Sequence, residues 1–70
     1  MRDDPPVVAF EDWYRQQWPR LVAWVTFSIG DQVQAEDIAA DSFARALGCW
    51  DKLTRQGEPT AWVYTVALNT

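Results

Sequence analysis

The sequence contains no histidine, and its single cysteine, Cys49, has no second thiol with which to form an internal disulfide. Histidine is the commonest side chain for proton transfer and metal binding near neutral pH, and no glycine-rich phosphate loop replaces it. We therefore expect no enzyme, no cofactor and no metal site. Small secreted domains usually need several disulfides, so the chain is expected to be a reduced, cytoplasmic protein. Cys49 is then either a half-buried helix residue or a redox switch, and no histidine is available to activate its thiolate.

Long apolar runs and an excess of positive charge are also missing. The longest apolar run, Leu21–Val25, is far shorter than the roughly 20 residues that span a bilayer, so no membrane contact is expected. The net charge is −4, whereas a protein that binds nucleic acid on its own normally has a basic surface. If this chain touches DNA, it does so locally or with the help of a basic partner.

The 70 residues are nevertheless rich in groups that build a core. Hydrophobic residues make up 49% of the chain and aromatic residues 14%, including five tryptophans. Large rings bury much area per position, which suits a domain too small to form an extensive core. The composition predicts one small folded domain.

The spacing of apolar residues predicts an all-α fold, a small three-helix bundle with helices near residues 10–29, 31–51 and 59–70. Residues 1–8 read as a flexible leader and residues 9–70 as the domain. Pro19 predicts a kink or break in the first helix near Trp18. The residues expected to share the core are Leu21, Ile38, Phe43, Trp50 and Trp62.

Several residues mark the ends of these helices. Gly30 is expected to stop the first helix, and Asp31 to cap the second. Pro59 suits the first position of the third helix. Residues 52–58 are predicted to form a loop. The third pattern runs to Thr70 without a stop signal, so the domain is expected to be incomplete at its C-terminus.

Acidic residues along the middle helix are open to two interpretations. Asp37, Asp41 and Arg45 follow one another at spacings of four, which is typical of a solvated helix face with a local ion pair. The same face would also suit docking of a basic partner helix.

Three segments in order resemble the extracytoplasmic-function (ECF) type of bacterial sigma factor. The central one is GDQVQAEDIAADSFARAL at residues 30–47, which is similar to the family's Ala-Glu-Asp, acid, and Phe-x-Arg-Ala pattern. Upstream, FEDWY at 10–14 and PRLV at 19–22 resemble its first helix. Downstream, AWVYTVALN at 61–69 is similar to its Ala-Trp-Leu-x-x-Ile-Ala-x-Asn helix.

The resemblance implies a region 2 domain that binds the clamp helices of core RNA polymerase and helps to recognise and melt the −10 promoter element. Asp37, Asp41 and Phe43 would then lie at or beside the polymerase contact. The implied DNA-binding residues are Lys52, Arg55, Trp62 and Asn69. Trp62 also has a simpler interpretation, as a core residue of its helix.

Three departures from the family pattern limit the expected DNA affinity. Ala40 stands where the family often has glutamine, and Leu68 where it usually has a basic residue. The basic residues expected after Asn69 are not in the chain. Since DNA affinity depends heavily on phosphate contacts, the chain alone is expected to bind DNA poorly.

The alternative function is a helical protein-interaction module that keeps this fold without a role on DNA. Trp13, Trp24 and Phe27 form a second apolar stripe on the first helix, and an exposed stripe of this kind marks an interface. Its expected occupants are an anti-sigma factor, a second domain or a second copy in a homodimer. The other reading is that Pro19 reorients the helix so that both stripes are buried internally.

Overall fold

The computed structural model describes residues 6–69 and is helical almost throughout that range. Its elements are α1 (Pro6–Ile29), α2 (Gln32–Gly48), α3 (Trp50–Gln56) and α4 (Pro59–Leu68). None of the described residues is in a strand. The all-α prediction is confirmed, with four helices in this range rather than three. The predicted leader lies outside the described residues except for positions 6–8, which belong to α1; Thr70 also lies outside them.

The first helix begins earlier than expected and is not interrupted at Pro19. Its start at Pro6 is favourable because a proline at the first helical position gives up a donor that would be unpaired anyway. The predicted break near Trp18 is absent. Proline inside a helix costs about 3 kcal/mol, but residues on both sides of Pro19, including Phe10, Leu21 and Val25, are buried. Packing of that face holds the helix together.

The connection between α1 and α2 follows the local signals in the sequence. Gly30 has a φ of +76°, a conformation that glycine adopts without strain, and its amide donates to the Thr26 carbonyl at 2.7 Å. The Asp31 carboxylate accepts from the Gln34 amide at 3.0 Å. Both the predicted stop and the predicted cap are confirmed.

The segment from Gly48 to Glu58 differs from its prediction. α2 ends at Gly48 and α3 begins at Trp50, with Cys49 as the half-buried connecting residue. The predicted loop at 52–58 is wrong for residues 52–56 and holds only for Gly57 and Glu58, because Trp50 and Leu53 are each 6% exposed and turn one face of a short helix to the core. Gly57, with a φ of +140°, ends that helix, and Pro59 begins α4 as predicted.

The core lies between α1 and α2, and α3 and α4 pack against this pair. Leu21, Phe43 and Trp50 are buried as predicted, while Ile38 and Trp62 are half-buried against the same core. One end of the core consists of rings whose centroids lie between 4.9 and 6.0 Å apart. These rings belong to Phe10, Trp13, Tyr14, Trp18, Phe43 and Trp50.

Candidate functional site

The acidic residues of α2 lie on its solvent-exposed side. Asp37 and Asp41 are both exposed and one turn apart. The Asp41 carboxylate pairs with the Arg45 guanidinium, Oδ2 to Nε, at 3.0 Å, with about half of each side chain exposed. An exposed pair of this kind contributes only about 0.2–1 kcal/mol. A partner that offers a better cation can therefore displace Arg45 at little cost.

The same side of α2 carries an apolar stripe that sequence reasoning missed. We call it the outer stripe, and its members are Val33, Asp37, Ala40, Ala44 and Leu47, at alternating spacings of four and three. Val33 is 73% exposed and Leu47 48% exposed. The regular spacing was the available signal, because it is the seam spacing of helices that pair in coiled coils.

Phe43 does not belong to this surface. It is 2% exposed, and its ring meets those of Trp13 and Tyr14 edge-on at 5.2 and 5.1 Å. A side chain so enclosed cannot touch a partner directly. Any part that Phe43 has in a polymerase contact is therefore indirect, through seating α2 against α1.

Lys52 and Arg55 lie on α3 and not in a loop. Both are exposed. The Arg55 guanidinium pairs with the Asp51 carboxylate, and its Nε donates to the Asp51 carbonyl at 3.3 Å. Asp51 thus offsets part of the positive charge of α3, and Lys52 is the second cation on this short helix.

Trp62 lies in the first half of α4, and Asn69 follows its last residue. Trp62 is half-buried and packs against the core, with the rest of the side chain accessible to solvent. Asn69 is exposed and ends the helix, its amide donating to the Val66 carbonyl at 3.1 Å. They are seven positions apart, which is about 10 Å along a helix. Of these two residues, Trp62 is the one near the turn that joins α4 to α3.

The expected exposed stripe on α1 is largely covered from within the chain. Trp13 is half-buried and lies among the core rings. Trp24 packs on Tyr64 of α4, with centroids 4.9 Å apart. Only Phe27 of the three remains free, at 91% exposed. Of the two readings of this stripe, internal burial therefore holds for the two tryptophans, which α4 and the core rings cover, and exposure holds for Phe27.

Phe27 borders a groove between α1 and the start of α2. The groove has a volume of about 630 Å³ and is lined mainly by apolar groups of α1, with Gln32 and Glu36 on the α2 side. The α1 residues are Trp18, Pro19, Val22, Ala23, Thr26 and Phe27. The Thr26 hydroxyl is buried without a hydrogen-bond partner.

No three Cys, Asp or Glu side chains of residues 6–69 converge as a metal ion would require. None of the helices in this range combines the length and hydrophobicity needed to cross a bilayer.

Comparison with known families identifies the family of this domain. The family model described as sigma-70 region 2 matches residues 12–70. The chain belongs to the sigma-70 region 2 family. No curated protein and no solved structure matches it significantly.

The match places the described site within a sigma-70 region 2 domain. It begins in α1 and runs through all of α2, α3 and α4, so both the outer stripe and the turn before α4 fall inside it. In sigma factors, region 2 binds RNA polymerase and recognises the −10 promoter element, and it is a transcription initiation domain without enzymatic activity.

Proposed function

We propose that this region 2 domain comes from an ECF-type sigma factor and binds the clamp helices of core RNA polymerase through the outer stripe of α2. The observation that carries the proposal is the stripe itself. Exposed Val33 and Leu47 stand at its ends, two alanines allow close approach between them, and Asp37 and Asp41 supply negative charge. A helical partner with basic residues beside an apolar seam would fit this surface.

The test is the affinity of the chain for purified core RNA polymerase after charge reversal. We expect Asp37→Arg with Asp41→Arg to weaken binding about tenfold or more, because opposite charges across the contact become like charges. Thermal unfolding of the variant should change little, since exposed substitutions usually alter stability by about 0.5 kcal/mol or less.

Glu11→Arg with Asp12→Arg is the matched control, because it makes the same change in charge at two exposed positions of α1. It should leave polymerase binding near that of the unaltered chain. Equal affinities for the double reversal and the control would rule out the outer stripe as the contact.

On the DNA side, we propose that the turn between α3 and α4 faces the unpaired bases of the −10 element. Lys52 and Arg55 are exposed beside it, and Trp62 follows in the first turns of α4 with part of its ring accessible. Aromatic rings and cations together suit capture of single-stranded DNA. Asn69, at the other end of α4, would contact DNA beyond this turn.

Phe27 favours a second candidate function, self-association of the domain. A ring that is 91% exposed beside a groove of about 630 Å³ can enter the groove of a second copy. Two-fold pairing would then bury the Phe27 rings of both copies at once. Sedimentation over micromolar concentrations should then show a dimer that Phe27→Ser removes. Leu68→Ser, which alters an apolar side chain 65% exposed on α4, should leave it intact. A monomer at every concentration would exclude self-association and leave the groove to a different protein, such as an anti-sigma factor.

A further inference from the structure

A hydrogen bond joins the beginning of α1 to the beginning of α4. The Trp13 indole Nε1 donates to the Thr60 hydroxyl at 3.0 Å, in a partly buried position, across 47 residues of sequence. The sequence pattern placed Trp13 on a second apolar stripe of α1 and gave Thr60 no role. The bond is therefore a contact between α1 and α4 that the sequence pattern did not indicate.

The donor is held in place by its neighbours. The Trp13 ring lies 4.9 Å from that of Trp50 and 5.2 Å from that of Phe43, and Phe10 lies 5.8 Å away on its own helix. Rings packed at these distances leave the indole little freedom to rotate. The Nε1 group is thus a fixed point on the core from which a hydrogen bond can orient another element.

The acceptor, the Thr60 hydroxyl, lies in the first turn of α4. Thr60 is the second residue of α4, and its amide also donates to the Glu58 carboxylate at 3.2 Å. Gly57, just before, has a φ of +140°. Local contacts cap the helix, but they do not fix its direction relative to α1. Packing of α4 on α1 and α2 sets that direction overall, and the bond from Trp13 adds a directional contact at the first turn, two residues before Trp62.

We propose that Trp13 is a positioning residue that holds the first turn of α4, and with it Trp62, in the orientation needed to capture unpaired DNA bases. Trp13 itself touches no DNA. The inference rests on the proposed role of the α3–α4 turn and adds to it the part of the molecule that fixes the turn. It also separates two activities, since the outer stripe on α2 does not depend on this bond.

The test compares Thr60→Val with Thr60→Ser in the chain bound to core RNA polymerase. Valine keeps the shape of threonine but removes the acceptor, whereas serine keeps the acceptor. We expect Thr60→Val to weaken binding of a short, labelled single-stranded DNA of random sequence by about fivefold, the equivalent of one net hydrogen bond. Thr60→Ser should restore most of that loss, and both variants should bind polymerase as the unaltered chain does.

Nuclear magnetic resonance of the free chain supplies a readout independent of DNA. The Trp13 indole proton should exchange with solvent faster in Thr60→Val than in the unaltered chain or in Thr60→Ser. Unchanged exchange in Thr60→Val, or equal DNA binding by both variants and the unaltered complex, would overturn the inference. The unaltered chain could also bind polymerase and give a complex that binds no single-stranded DNA. In that case the proposed DNA role fails, and with it the positioning role, even where exchange shows that the bond exists.

Discussion

Phe43 joins the two main helices through its ring. It is enclosed by side chains of α1, with Trp13 and Tyr14 edge-on and Trp18 at 6.0 Å. Aromatic pairs in such arrangements are worth about 0.5–1.5 kcal/mol beyond the area that they bury. Phe27, by contrast, is 91% exposed on the same first helix. The two phenylalanines offer a matched comparison of the same side chain inside and outside the fold.

We expect Phe43→Ala to lower the free energy of unfolding by about 3–5 kcal/mol, the usual cost of removing a buried phenylalanine. Phe27→Ala should change it by about 0.5 kcal/mol or less. Urea denaturation of both variants measures the difference. Phe43→Leu, which keeps more of the volume, should fall between them and stay folded. Similar losses for the two alanine variants would contradict the placement of Phe43 in the core.

At the scale of the helices, two glycines near helix ends differ in backbone conformation but not in surroundings. Gly57 has a φ of +140°, whereas Gly48 is the last residue of α2 and has no positive φ. An added Cβ would meet no atom within 4 Å at either position. The effect of alanine at each is therefore a matter of backbone conformation alone.

We expect Gly57→Ala to destabilise the domain by more than about 1 kcal/mol, because alanine is strained at that φ. Gly48→Ala should stabilise it by about 0.5–1 kcal/mol, the difference in helix propensity. Thermal unfolding of the two variants should shift in opposite directions. A Gly57→Ala variant as stable as the unaltered chain would show that the end of α3 does not require the conformation described.

Helix ends were predictable where the signal is local. The signals at three helix ends act through the residue's own backbone or the next turn, as at Gly30, Asp31 and Pro59. A few neighbouring residues of sequence were therefore enough to predict those ends. The continuity of α1 at Pro19 and the existence of α3 depend on packing against other elements. The segment around Trp50 and Leu53 is helical because one of its faces packs against the core. Two apolar residues are too few to indicate a helix from sequence alone.

The candidate surface was predictable only in part, for a related reason. The acidic positions Asp37 and Asp41 lie on the exposed side, as a solvated or docking face requires. α2, however, has small apolar residues on most of its sides, so its periodicity did not show that Val33 and Leu47 are exposed. Their exposure depends on the rings of α1, which enclose Phe43 on the opposite side of α2.

For the molecule as a whole, net charge limits what the chain does alone. With a charge of −4, and with Arg45 and Arg55 each paired to an aspartate, little positive potential remains for phosphate groups. We expect no saturable binding of the isolated chain to duplex DNA at physiological salt and micromolar concentration. Fluorescence anisotropy with labelled duplex measures it, and the complex with core RNA polymerase is the comparison. Tight binding by the chain alone that weakens steeply with salt would contradict this expectation.

The pairing of Trp13 with Trp50 also gives the domain a spectroscopic signal of its own. The two indoles lie 4.9 Å apart at an angle of 37°, one on α1 and the other on α3. Near-ultraviolet circular dichroism depends on rings held in a fixed asymmetric arrangement, and it is lost when tertiary packing loosens even if the helices remain. In a domain whose described residues are helical almost throughout, the far-ultraviolet spectrum reports the presence of helices. The near-ultraviolet signal, to which this ring pair contributes, reports whether the aromatic core that joins α3 to α1 is packed.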